Sequence, residues 1–218
     1  MYTPYPSPRA TQAVRTALVS KVFGLLSFSF AFTVVGGIVG MAAPGLSLFA
    51  ALGAMGMVFA LGYAREKTGL NLALLYGMTF LMGMGVGPII GMYAAVAPGV
   101  LGNALVITGG LVGGLSLYSW RSERDLTQLQ NILFPALIGL VLMSIVGIFL
   151  RMPAFQLMLS LGAAVIFSGL MLVDVQRLRD AQDDSMPTAI MMTVGLYLNI
   201  INIFMSILQI LGFVSRDD

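Results

Sequence analysis

Thr188 to Val214 reads TAIMMTVGLYLNIINIFMSILQILGFV, a stretch with no charged side chain and few polar ones. It exceeds the roughly 20 apolar residues that an α-helix needs to cross a bilayer core. Working outward from it, six more runs of this kind lie upstream, at 22–43, 46–64, 69–97, 98–120, 131–150 and 153–173, separated by short polar or Gly/Pro breaks. The 218-residue chain is 58% hydrophobic and 9% charged with a mean hydropathy of +0.95, whereas a soluble domain carries about 25% charged residues. The runs are continuous rather than alternating in segments of about 10, which excludes a β-barrel. The expected fold is therefore all-α: a polytopic membrane protein with seven transmembrane helices.

Before the first run, MYTPYPSPRATQAVR places prolines at 4, 6 and 8 among few apolar anchors, so residues 1–21 read as a disordered tail. The run at 22–43 is too long for the apolar part of a signal peptide. Residues 22–214 form the membrane domain, and 215–218 a short tail. Of the eleven basic residues, nine (Arg9, Arg15, Lys21, Arg65, Lys67, Arg121, Arg124, Arg177, Arg179) fall on one side of this segmentation, and Arg151 and Arg216 on the other. The positive-inside rule then puts the N-terminus in the cytoplasm and the C-terminus outside. Because the basic residues sit at helix ends, the net charge of +2 and the pI near 9.1 report topology, not nucleic-acid binding.

The chain has no cysteine and no histidine. Disulfides, thiol chemistry, Ser/His or Cys/His pairs and an H-E-x-x-H zinc site are all ruled out, and no enzyme activity or cofactor is expected. Any response to pH between 5 and 8 would fall to a carboxylate.

Pro44, Pro98, Pro135, Pro153 and Pro187 read as lying at breaks or in first turns, where a missing N–H costs nothing. Pro88 alone is expected inside a span, in LMGMGVGPIIGMY, where it removes the hydrogen bond to the Met84 carbonyl. Gly87 and Pro88 thus mark a kink, which is either a packing feature or a gating hinge. Gly36/Gly40, Gly83/Gly87, Gly109/Gly113 and Gly110/Gly114 fit the small-xxx-small pattern of close helix contacts. The sixteen methionines, dispersed through the spans, read as core filler.

Eight of the nine acidic residues fall in connections or the tail, and Asp174 remains, where the sixth run ends in IFSGLMLVDVQRL. A carboxylate at that depth is either paired inside the bundle or interfacial and paired with Arg177 at i+3. The seventh span supplies Asn199 about three turns from its start, and consecutive helices joined by a short loop pack antiparallel, so Asn199 can meet Asp174. Asn202, at i+3, continues the polar stripe, and Arg65, ending the second span on the same side, offers a planar donor fork that suits a carboxylate.

GVGPII in the third span, LVDVQRL at the end of the sixth, LYLNIINIFMSILQILG in the seventh and the terminal SRDD together resemble the transmembrane Bax inhibitor motif family in its compact bacterial form, over nearly the whole chain. The resemblance implies six helices around a central seventh and a bacterial cytoplasmic (inner) membrane location. It also implies a pH-sensitive calcium leak, in which an aspartate of helix 6 shares a proton with one of helix 7 and an arginine at the inner end of helix 2 latches the pore. Asp174 and Arg65 match the first and the last of these. At the helix 7 position the family pattern LYLDFIN is replaced by LYLNIIN, so Asn199 stands where the second carboxylate is expected. An amide can hydrogen-bond Asp174 but cannot ionise, so a weaker or lower pH response than the family norm is expected.

The expected function is a passive cation leak or channel, with Ca²⁺ as the transported ion, gated near Asp174. One acidic group is few for an ion that takes six to eight oxygen ligands, and the metal-ligating residues stay open. The alternative is a non-conducting regulator in the lipid bilayer that binds another membrane protein, such as a membrane-bound quality-control protease.

Overall fold

The computed structural model describes residues 8–63, 68–150 and 152–215. Among these are seven long helices: α1 (Pro8–Ala42), α2 (Ser47–Tyr63), α3 (Thr68–Val96), α4 (Pro98–Arg121), α5 (Gln130–Leu150), α6 (Pro153–Asp180) and α7 (Met186–Val214). Short 3₁₀ turns at Pro44–Leu46 and Thr127–Leu129 lead into α2 and α5. No strand is present among the described residues, and all seven helices are long and apolar enough to cross a membrane. In α7, 56% of the apolar window lies inside the protein, against 33% or less in the others. It is the most enclosed helix, as expected of a central one.

Three boundaries differ from the sequence reading. The chain is helical from Pro8, so residues 8–21 belong to α1 rather than to a disordered tail; Pro8 is tolerated in a first turn, Leu18 and Val22 are fully buried, and Lys21 Nζ pairs with Asp184 Oδ2 at 2.9 Å. Pro135 lies inside α5, because the helical run already starts with the 3₁₀ turn at Thr127. The sixth helix continues about two turns beyond Val173, since Val175, Gln176 and Leu178 are buried and hold that segment against its neighbours. At α7 the start is set locally. Ser185 Oγ accepts the Thr188 N–H at 3.4 Å, Pro187 occupies the first turn, and Asp183 accepts from Ser185 N–H (2.9 Å), Ser185 Oγ (2.7 Å) and the Thr188 hydroxyl. These bonds hold the Asp183 carboxyl below the usual range, the Ser185 hydroxyl being the largest cause.

The chain forms two compact units, one taking in residues up to Ile89 with Arg177–Val194, the other Ile90–Gln176 with Gly195 onward. In the first, α1 and α3 run parallel along a glycine seam. A Cβ at Gly36 or Gly40 would fall on the carbonyl of Phe80 or Met84, and one at Gly83 or Gly87 on that of Thr33 or Gly37. Lipid supplies no hydrophobic drive for helix pairing, so this backbone approach is where close packing gains most. The seam uses the first two small-xxx-small pairs. Gly109, Gly110, Gly113 and Gly114 on α4 have nothing within 4 Å of a Cβ, so those pairs make no contact here. In the second unit α5 and α6 are antiparallel, with Gly169 against Leu133 and Gly147 against Phe155, and α6 and α7 are antiparallel as well.

Candidate functional site

Asp174 and Asn199 meet. Asn199 Nδ2 donates to Asp174 Oδ2 at 2.7 Å, joining α6 to α7 within one compact unit. Asn199 is 4% exposed and Asp174 is half-buried. The approach is permitted by Gly195, one turn before Asn199, where a Cβ would stand 2.7 Å from the same Oδ2. An alanine there would crowd the carboxylate out of its place, so the glycine forms a notch for it.

The Asp174 segment is itself anchored. Two residues before it, the Leu172 carbonyl accepts from Ser119 Oγ of α4 at 2.6 Å. Two residues after it, Gln176 is 3% exposed and grips the α4–α5 connection, accepting the Leu126 N–H on Oε1 (2.6 Å) and donating from Nε2 to the Arg124 carbonyl (2.7 Å). Such a buried amide with partners on both its oxygen and its nitrogen fixes the rotation of α6, and so the direction of the Asp174 side chain. Asp125, in the same connection, accepts from the Thr127 hydroxyl and, at 3.0 Å, from its N–H, which hold its carboxyl below the usual range.

Asn202 does not join this pair. Its Nδ2 donates to the Leu198 carbonyl of its own helix at 2.7 Å, and the side chain lines a separate cavity of about 350 Å³ between α5, α6 and α7. Three residues along a helix turn a side chain by about 300°, so the stripe rotates off the α6 face that carries Asp174. Arg65 lies outside the described residues. Among the described residues no group of three or more His, Cys, Asp or Glu is assembled that could hold a metal ion.

Residues 15–216 match the family described as inhibitor of apoptosis-promoting Bax1. The chain belongs to the Bax inhibitor-1 family. An uncharacterized membrane protein of Vibrio cholerae is 31% identical over 96% of this chain and 97% of its own length. The Golgi anti-apoptotic protein of vaccinia virus is 31% identical over 93% and 87%, and the Escherichia coli inner membrane protein YbhL is 34% identical over 61% and 58%. This Bax inhibitor-1 family member is thus a multi-pass membrane protein with bacterial relatives.

Three contributors escaped the sequence reading. Gly195 is one of 26 glycines, and only its place one turn from Asn199 could have singled it out. Gln176 stands inside LVDVQRL, and a neutral amide two residues from the acid at the end of the sixth apolar run was a readable signal. Ser119 gave none, since a serine at a helix end is ordinarily a surface residue.

Proposed function

We propose that this Bax inhibitor-1 family member is a passive cation leak, Ca²⁺ being the first ion to test, controlled where α6 meets α7. The observation that carries the reading is the 2.7 Å bond from Asn199 to Asp174, which brings a neutral amide to the acidic residue at the end of the apolar run of α6. A lone carboxylate there attracts cations without forming a tight trap, since strong Ca²⁺ sites gather several carboxylates. Arg65 is the proposed counter-charge on the inner side. Asn199 cannot take part in proton sharing, so the pH response of the leak is expected to be weaker or lower than the family norm. No catalysis is proposed for a chain lacking His and Cys.

The name of the vaccinia relative, an anti-apoptotic protein, favours a second reading: a regulator that acts through another membrane protein without conducting. Purified protein in liposomes separates the two. A leak requires Ca²⁺ or monovalent flux from the protein alone, changed several-fold by Asp174→Asn and similarly by Arg65→Ala. Zero flux from folded protein leaves the regulator. Flux that both variants leave unchanged removes Asp174 from the path. In the proposed setting, a bacterial inner membrane, reporter fusions should place the N-terminus and the 181–185 connection inside and the C-terminus outside.

A further inference from the structure

The cavity beside Asn202 has a lining unlike that of a packing defect. Asn202, Ser206, Ser160, Ser144, Gln156 and Gln209 all contribute to it, and among the described residues no charged one does. The three serine hydrogens and one of the two on Asn202 Nδ2 are already spent. Ser144 Oγ donates to the Leu140 carbonyl (2.8 Å), Ser206 Oγ to the Asn202 carbonyl (2.7 Å) and Asn202 Nδ2 to the Leu198 carbonyl (2.7 Å). Ser160 Oγ divides its single hydrogen between the Gln156 carbonyl (2.9 Å) and Gln209 Oε1 (2.8 Å). A hydroxyl has one hydrogen and two lone pairs, so what the three serines keep for the cavity is oxygen lone pairs, while the amides offer both an oxygen and N–H. Ser160 and Ser206 are buried, so bulk water does not serve them freely.

We propose that this cavity between α5, α6 and α7 binds a partly hydrated monovalent cation, K⁺ or Na⁺, on the neutral oxygens of Ser144, Ser160, Asn202 and Ser206. An anion would meet lone pairs at all three serines and donors only at the amides, and an acyl chain would leave several acceptors unpaired in an apolar setting. A divalent ion would lack the carboxylates on which its sites rely, whereas neutral oxygens replace the hydration shell of a monovalent ion. About 350 Å³ holds roughly ten waters at ~30 Å³ each, so the ion keeps part of its hydration. The Gln156 and Gln209 amides, at the end shared with a second cavity of about 140 Å³, suit the remaining waters.

The site goes beyond the proposed leak and holds whether or not the protein conducts. The test is thermal unfolding of the full chain in nanodiscs, in KCl, NaCl or N-methyl-D-glucamine chloride at equal ionic strength. K⁺ or Na⁺ at ten times its dissociation constant should raise the Tm by roughly 3–6 °C over the organic cation. Ser206→Ala with Asn202→Leu should abolish that difference; if that pair fails to fold, Ser144→Ala, a milder change on another helix, should weaken cation affinity several-fold. Asp174→Asn should leave the difference intact. Equal Tm values in all three salts overturn the proposal, and so does a cation effect that vanishes in Asp174→Asn, which would put the ion at the carboxylate. Neither outcome bears on flux in liposomes, so this site and the leak fail separately.

Discussion

Replacing Gly195 by alanine tests whether the Asp174 carboxylate is held in a notch. The new Cβ would stand 2.7 Å from Oδ2, and ordinary contact begins at 3.4 Å, so the carboxylate must retreat by about 0.7 Å. The Asn199 bond, now 2.7 Å, would stretch to about the same 3.4 Å, outside the range of a good N–H···O bond. A hydrogen bond to a charged group is worth about 1.5–3 kcal/mol. Against that loss stands the helix preference for alanine over glycine, at most about 1 kcal/mol. The loss wins by about 0.5–2 kcal/mol, and at 2–4 °C per kcal/mol the Tm falls by roughly 1–8 °C.

The assay is a double-mutant cycle on Tm with Asn199→Ala as the second change. Once Asn199 has lost its amide, alanine at 195 can no longer act through the Asn199 bond, and the helix preference weighs more. Gly195→Ala should then turn neutral or stabilising. That change of sign is the signature of an effect transmitted through the Asp174–Asn199 bond. An equal loss in both backgrounds would refute the notch and make Gly195 a plain packing residue.

Asn199→Asp puts a second carboxylate against Asp174; one shared proton holds the pair together, and its departure leaves two like charges, so the α6–α7 contact is kept at low pH and lost as pH rises. Flux or label distances between pH 5 and 8 should show a steeper slope than in the natural chain, and identical curves would disprove proton sharing here. On the seam, Gly36→Ala should destabilise strongly because its Cβ lands on the Phe80 backbone, whereas Gly110→Ala, with open space around it, should be neutral or slightly stabilising; equal effects by thermal unfolding would count against the seam. The folded Asp183 carboxyl is held below its usual range, so the start of α7 keeps that stabilisation above the ordinary carboxylate range and loses it as pH falls through the folded value. Amide-exchange protection at Ser185 and Thr188, relative to the intrinsic rate, should fall on that acid side in the natural chain, and Asp183→Asn should show low protection at every pH.

Helix number and the Asp174–Asn199 contact were legible because lipid makes both nearly obligatory. A span must satisfy its backbone internally, so uninterrupted apolar runs report helices, and a buried amide must find a partner, for which a carboxylate at the matching depth of the next helix was the natural choice. What stayed hidden depended on rotation rather than depth. Asn202 is at the right height but turns to its own helix and to the cavity, and Gln176 turns into the α4–α5 connection. A helix whose polar and apolar residues both face protein gives no amphipathic stripe from which rotation can be read. The start of α1 was missed for a related reason, as three prolines dominated the composition while buried Leu18 and the ion pair of Lys21 set the structure.

Pro88 brings the glycine seam and the proposed hinge together. Its ring withholds the N–H that would bond the Met84 carbonyl, and an interior proline in water costs about 3 kcal/mol or more. The oxygen it releases is the one on which a Cβ at Gly40 would fall, so the freed carbonyl faces the Cα of a glycine in α1. A Cα–H···O contact offsets about 0.5–1 kcal/mol of that cost, a fraction, with seam packing left to supply more. Gly40 thus serves both the close approach of α3 and the Met84 carbonyl that Pro88 leaves without its helical donor. The compact unit holding this seam ends at Ile89, directly after the proline. A pivot at Gly87 and Pro88 would therefore leave Gly36, Gly40, Gly83 and Gly87 in contact, because all four lie on one side of the division. The two readings of Pro88 need not exclude each other: the seam packs the turns before the proline, and the missing hydrogen bond is the one local weakness in α3 beside it.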